Sequence, residues 1–126
     1  MIIKTTALFG SGPVLPVPDV AKAVSFYQEM LGFQLDFVMG DPPDHGSVTR
    51  CRVGIQFTLI TTDFIPRTYP GWTYIFVTNI DKLSEEFASK HVMITQPLGD
   101  REHGMREIEI EDLNGYRLRF GQYLDT

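Results

Sequence analysis

The apolar positions of this chain change period along its length, and the changes mark its elements. Between Val20 and Leu31 they fall at Val20, Ala23, Val24, Tyr27 and Leu31. This is one face of a helix turning about every 3.6 residues, so the spacing predicts a helix over 20–31. Asp19 precedes it as an N-cap, and Gly32 follows it as a residue able to take positive φ. A second stripe, Ile80, Leu83, Phe87 and Ala88, predicts a helix over 80–90, with Asn79 in the capping place. His91 then stands roughly where Gly32 ends the first helix. Histidine tolerates the left-handed conformation, so helix termination is its expected role.

The remaining apolar runs read as strands. In the first half they cover Phe33–Met39, Ser47–Val53 and Ile55–Thr61, with a turn at Gly40–Asp44. On this reading Cys51 is a small buried residue of a strand, and His45 is an exposed residue of the Asp41–Gly46 turn. In the second half they cover Trp72–Val77, Val92–Gln96, Met105–Glu111 and Tyr116–Gln122. The stretch Thr62–Gly71, with two prolines and no clear period, reads as a linker.

Val17-Pro18-Asp19-Val20 reappears 60 residues later as Val77-Thr78-Asn79-Ile80. The expected organisation is therefore one α+β domain spanning 1–126, made of two βαβββ modules at about 1–61 and 70–126. The last hairpin can be registered further. A three-residue loop, Leu113-Asn114-Gly115, with Gly115 left-handed, places Ile108 and Ile110 on one face with Leu118 and Phe120. Glu107 and Glu109 then share the other face with Arg117 and Arg119. A two-residue loop would set glutamates beside Leu118 and Phe120, which is costly. The preferred register sets Glu109 opposite Arg119 as a cross-strand ion pair.

Composition narrows the function. The formal charge is −5 and no basic stripe is visible, so a nucleic-acid partner is not expected. The single cysteine excludes an internal disulfide and a Cys-rich zinc site. The N-terminal stretch is too short and mixed for a signal peptide or membrane span, so no membrane partner is expected and a cytoplasmic location is. There is no GxSxG, P-loop, GxGxxG or HExxH pattern. Nine Phe, five Tyr and one Trp are a generous aromatic supply; most aromatics of a small domain are core, and some here are candidates for a ligand cavity.

The segments Pro13–Phe33 (PVLPVPDVAKAVSFYQEMLGF) and Gly104–Gln122 (GMREIEIEDLNGYRLRFGQ) resemble the opening and closing motifs of the glyoxalase/bleomycin-resistance (vicinal oxygen chelate) superfamily. The resemblance covers about 11–122. It implies a curved mixed sheet with helices outside and the site on its concave side. It also implies a homodimer. Superfamily enzymes hold a divalent metal there through His and Glu. The first histidine position, seven residues before the capping Asp, is Gly12 here; its counterpart in the second half is Trp72; the closing glutamate position is Arg119. Gly offers no donor, indole no lone pair for a metal, and guanidinium stays protonated. No family-type metal site and no cofactor are therefore expected.

These substitutions suggest another chemistry. Trp72, Tyr74 and Phe76 would form an aromatic wall. Arg119, entering from the far side, its neighbour Glu109 and His103, in the loop before the closing hairpin, would supply polar contacts. Such a surface suits a planar or anionic small molecule, as in bleomycin-resistance-type relatives that sequester a drug. The alternative is a metal-dependent lyase, isomerase or dioxygenase-like enzyme with non-standard ligands drawn from His45, His103, Glu107 and Glu109.

Overall fold

A computed structural model describes residues 5–61 and 72–125, so the expected linker lies outside the described residues. The chain runs β1 (Val14–Val17), α1 (Val20–Leu31), β2 (Gln34–Gly40), β3 (Pro43–Arg50), β4 (Val53–Leu59), β5 (Thr73–Phe76), α2 (Ile80–Ser89), β6 (Met93–Asp100), β7 (Met105–Glu111) and β8 (Arg117–Tyr123). Two four-stranded mixed sheets result, ordered β1-β4-β3-β2 (sheet A) and β5-β8-β7-β6 (sheet B). Within each, the first strand pairs in parallel with the last and the others are antiparallel. This is the expected α+β pair of βαβββ modules.

The helix predicted over 20–31 forms, and its apolar stripe is the set that is buried. Asp19 Oδ1 accepts from the Lys22 N–H at 3.0 Å, and Gly32 ends the helix at φ 74°. Burial of Val20, Val24 and Leu31 contributes roughly 1.5–3 kcal/mol each. In α2, Ile80 and Phe87 are buried and Leu83 half-buried, while Ala88 is exposed and leaves the expected stripe. Asn79 does not cap α2. It sits at φ 52° with no capping bond, and the Gln122 side chain accepts from the Ile80 N–H at 2.8 Å instead. His91 takes the left-handed conformation, at φ 59°.

Two expectations about the first hairpins fail. Cys51 is exposed and belongs to a two-residue turn with Arg52, entered at φ 54°, because Arg50 pairs with Val53. His45 lies inside β3, since the chain turns at Asp41-Pro42 and pairing resumes at Pro43. The last hairpin has the expected register: Glu109 faces Arg119, Ile108 faces Phe120, and Gly115 has φ 87°.

One apolar core runs through both modules. Each module's last hairpin grips the other module's helix. The Tyr27 hydroxyl on α1 donates to Asp112 Oδ2 at 2.7 Å, while Asp112 Oδ1 accepts from the Asn114 and Tyr116 N–H groups. Burial raises the Asp112 carboxyl above its ordinary value, and those donors only partly offset it. Burial and the neighbouring Asp112 push the Tyr27 phenol upward. At the other junction Arg50 forms a two-bond pair with Glu86 on α2, at 2.8 and 2.9 Å, and also donates to the Leu31 carbonyl.

Candidate functional site on the polar face of sheet B

The site grows from alternation along three adjacent strands. Ile75, Ile108, Ile110, Leu118 and Phe120 point into the core. Their neighbours, Tyr74, Phe76, Glu107, Glu109, Arg117, Arg119, Gly121 and Tyr123, therefore share the opposite face. Tyr74 pairs with Arg119 and Phe76 with Gly121, while Glu109 and Glu107 pair with Arg119 and Gly121 from the other side.

Arg119 is the centre of one cluster. It donates Nε and Nη2 to Glu109 Oε1 at 3.1 and 2.8 Å, and its guanidinium carbon stands 4.5 Å from the centre of the Trp72 ring. Thr95 donates to Glu109 Oε2 at 2.7 Å, and Arg117 lies 3.5 Å from the same oxygen. A second cluster centres on Glu107. The Tyr74 hydroxyl donates to its Oε2 at 2.5 Å, His103 Nε2 stands 3.0 Å from that atom, and Arg101 lies 3.8 Å from Oε1. Glu107 and Glu109 are only 1% and 4% exposed, which is costly for carboxylates unless donors replace the lost water. Burial pushes both upward. Hydrogen bonds from Tyr74 and His103 to Glu107, and from Thr95 and Arg119 to Glu109, outweigh it, so both titrate below their ordinary value. Tyr74, partly desolvated and donating to Glu107, is pushed up to about 12.

The structure brings five of the expected site residues, Trp72, Tyr74, Phe76, Arg119 and Glu109, onto one face. His103 joins through Glu107 and is otherwise exposed. Thr95, Arg101, Tyr123 and Gly121 escaped sequence reading. Tyr123 stacks on Phe76 with ring centres 5.8 Å apart, and Phe76 leans on Tyr74 at 5.1 Å. Gly121 is needed because a Cβ there would occupy the space of the Tyr74 phenol. The hairpin register already sets Gly121 opposite Glu107, a signal that could have found it.

The alternative ligand set is not gathered. His45 lies on sheet A, bonded to Gln56 at 2.8 Å and stacked on Phe37 at 5.8 Å. Among the described residues no group of three or more His, Cys, Asp or Glu side chains is placed to hold a metal ion. The three family ligand positions do not fit a cation either. A Cβ at Gly12 would stand 2.6 Å from the Gly54 carbonyl oxygen, so no side chain fits there without backbone movement. At the other two positions the Arg119 guanidinium lies over the Trp72 indole.

Comparison with known proteins follows the same lines. A family model described as Glyoxalase/Bleomycin resistance protein/Dioxygenase superfamily matches residues 8–120. No curated protein sequence matches the chain. Among solved structures, the chain is similar to TioX from Micromonospora sp. ML1, with TM-score 0.75, 21% identity, and coverage of 91% of this chain and 100% of that one. It is similar to the bleomycin-binding protein of bleomycin-producing Streptomyces verticillus, complexed with copper(II)-bleomycin, with TM-score 0.73, 29% identity, and coverage of 92% and 97%. It is also similar to a glyoxalase/bleomycin resistance protein/dioxygenase from Alicyclobacillus acidocaldarius, with TM-score 0.73, 21% identity, and coverage of 89% of each chain.

Proposed function

This chain belongs to the glyoxalase/bleomycin resistance protein/dioxygenase superfamily, and from that premise we propose that it binds or sequesters a small planar organic molecule, without a metal ion, on the polar face of sheet B. The observation that carries this reading is Arg119 at the closing ligand position, lying over Trp72 and doubly bonded to Glu109. A guanidinium there repels a divalent cation. Its charge is already matched by a carboxylate, which favours a flat aromatic guest over a simple anion. Half-exposed Trp72 and exposed Phe76 and Tyr123 offer the stacking surface. The resemblance to a bleomycin-binding protein supports sequestration rather than turnover.

A homodimer belongs to the same proposal. The hydrogen bonds and ion pairs of each polar face stay within its own sheet among the described residues, and the modules join through their helix-covered sides. A second copy would supply the opposite wall. No helix among the described residues is long and apolar enough to cross a membrane, and we place the protein in the cytoplasm. The test is a titration of the intact protein with planar aromatic compounds while Trp72 fluorescence is followed. Saturable quenching that Glu109→Gln and Tyr74→Phe weaken is the expected result. An unresponsive tryptophan, or stoichiometric transition metal in the purified protein, would overturn the reading.

A further inference from the structure

The two hairpin-to-helix junctions are equivalent by the repeat, yet only one is filled. Val14 pairs with Gln56 and Tyr74 with Arg119, so Gln56 and Arg119 correspond. Three residues earlier in the chain stand Val53, at the start of β4, and Tyr116, just before β8. Tyr116 packs against the core and drives its hydroxyl to the Pro16 carbonyl at 2.6 Å, closing the junction with α1. Val53 is smaller. Beside it a cavity of about 590 Å³ stays open between the β3–β4 hairpin, α2 and the edge strand β5. The α1 junction keeps a depression of about 420 Å³ whose lining includes no strand residue.

We propose that the cavity at the α2 junction is a second binding site, for a mainly apolar organic anion. Its size is in the range of small-molecule pockets, and its walls are dominated by Phe33, Ile75, Leu83 and Phe120. Three charged side chains reach it. Arg50 and Glu86 neutralise one another at 2.8 Å. Lys82 has no ion pair among the described residues, which leaves one net positive charge at the rim of an otherwise acidic chain. A ligand with an apolar body and one carboxylate matches both features. Phe76 and Tyr123 border this cavity as well as the sheet-B face, so the two sites adjoin, and the Val53 and Leu83 methyls, which lie on the junction side only, tell them apart.

The test uses three probes, 2-naphthoate, decanoate and decanol, with methyl NMR of the intact protein as the readout. The first two separate an aromatic from an aliphatic body, and decanol removes the charge. Saturable shifts at the Val53, Ile75 and Leu83 methyls are expected with at least one carboxylate. Lys82→Gln should weaken the carboxylates about fivefold and leave decanol unchanged. Val53→Tyr, which installs the ring the other hairpin carries, should abolish the shifts; Leu83→Phe narrows the cavity from the helix side and serves if Val53→Tyr fails to fold. The proposal is overturned by an absence of saturable shifts with both carboxylates, by shifts that persist in a folded filling variant, or by equal weakening of decanol and carboxylates in Lys82→Gln. A dimer in which Cys51 at the rim resists thiol reagents would overturn it too, since a second copy would then occupy the groove.

Discussion

The polar faces of sheets A and B are built on the same backbone plan and carry opposite chemistry. On sheet A, Ser47 and Thr49 donate to Asp36 at 2.9 and 2.6 Å and His45 bonds to Gln56, so small polar groups satisfy one another. On sheet B, two nearly buried glutamates, three arginines, a tyrosine and an indole occupy corresponding ground. Gln56 corresponds to Arg119, and Gly12 to Trp72. The lesson is that a duplicated fold fixes where side chains stand, not what they do. Burial of charge on one face only marks the face whose residues are held most rigidly and at the highest cost.

The sharpest way to break this comparison is Gly121→Val against Thr58→Val, substitutions at equivalent points of β8 and β4. The first displaces the Tyr74 phenol and frees Glu107, and should cost about 3 kcal/mol. The second should stay within about 0.5 kcal/mol, as for an ordinary surface change. Urea denaturation of the two variants measures the gap, and equal losses would erase the distinction between the faces. Next in size, Glu109→Ala should cost about 2 kcal/mol by stripping Arg119 of its partner, against about 1 kcal/mol for Ser47→Ala.

Acid should act on sheet B first. Glu107 and Glu109 titrate below their unfolded values, so their stabilisation is complete above the ordinary carboxylate range and is lost as pH falls through their depressed pKa values. The melting temperature should therefore decline on acidification, and the decline should be shallower in Glu107→Gln. Asp112 has the opposite sign, since its raised pKa favours the folded state when protonated and opposes it as pH rises. Among the sheet-B changes the smallest effect is expected of Trp72→Leu, about 0.5–1 kcal/mol for the lost contact with Arg119. Sheet A has no counterpart to lose there, because Gly12 has no side chain.

Much of this was legible in the chain itself. The stripe of α1 named its buried set because α1 packs on β3 with a regular period, and the final hairpin was registered by the cost of burying glutamate among Leu118 and Phe120. Where the reading failed, local signals competed. Cys51 lies in a run that looks extended, yet a two-residue turn formed there, and only cross-strand pairing of Arg50 with Val53 decides its place. Asn79 is a good capping residue by type, but the Gln122 carboxamide, distant in sequence, reached the helix end. His45 read as part of a long turn, because nothing nearby shows that pairing resumes at Pro43.

For the site the division is similar. Hairpin register, a short-range property, set Glu109 opposite Arg119. Trp72 and Arg119 were singled out by the family resemblance, with Arg119 expected on the far side of the cavity, whereas the pairing of Tyr74 with Arg119 makes their strands neighbours and lays the guanidinium over the indole. That Glu107 joins Tyr74 to His103, and that Gly121 must be small, follows from side chains of separate strands sharing one volume. The open junction beside Val53 is likewise invisible in any single stretch, because a void is the difference between what a fold encloses and what its side chains fill.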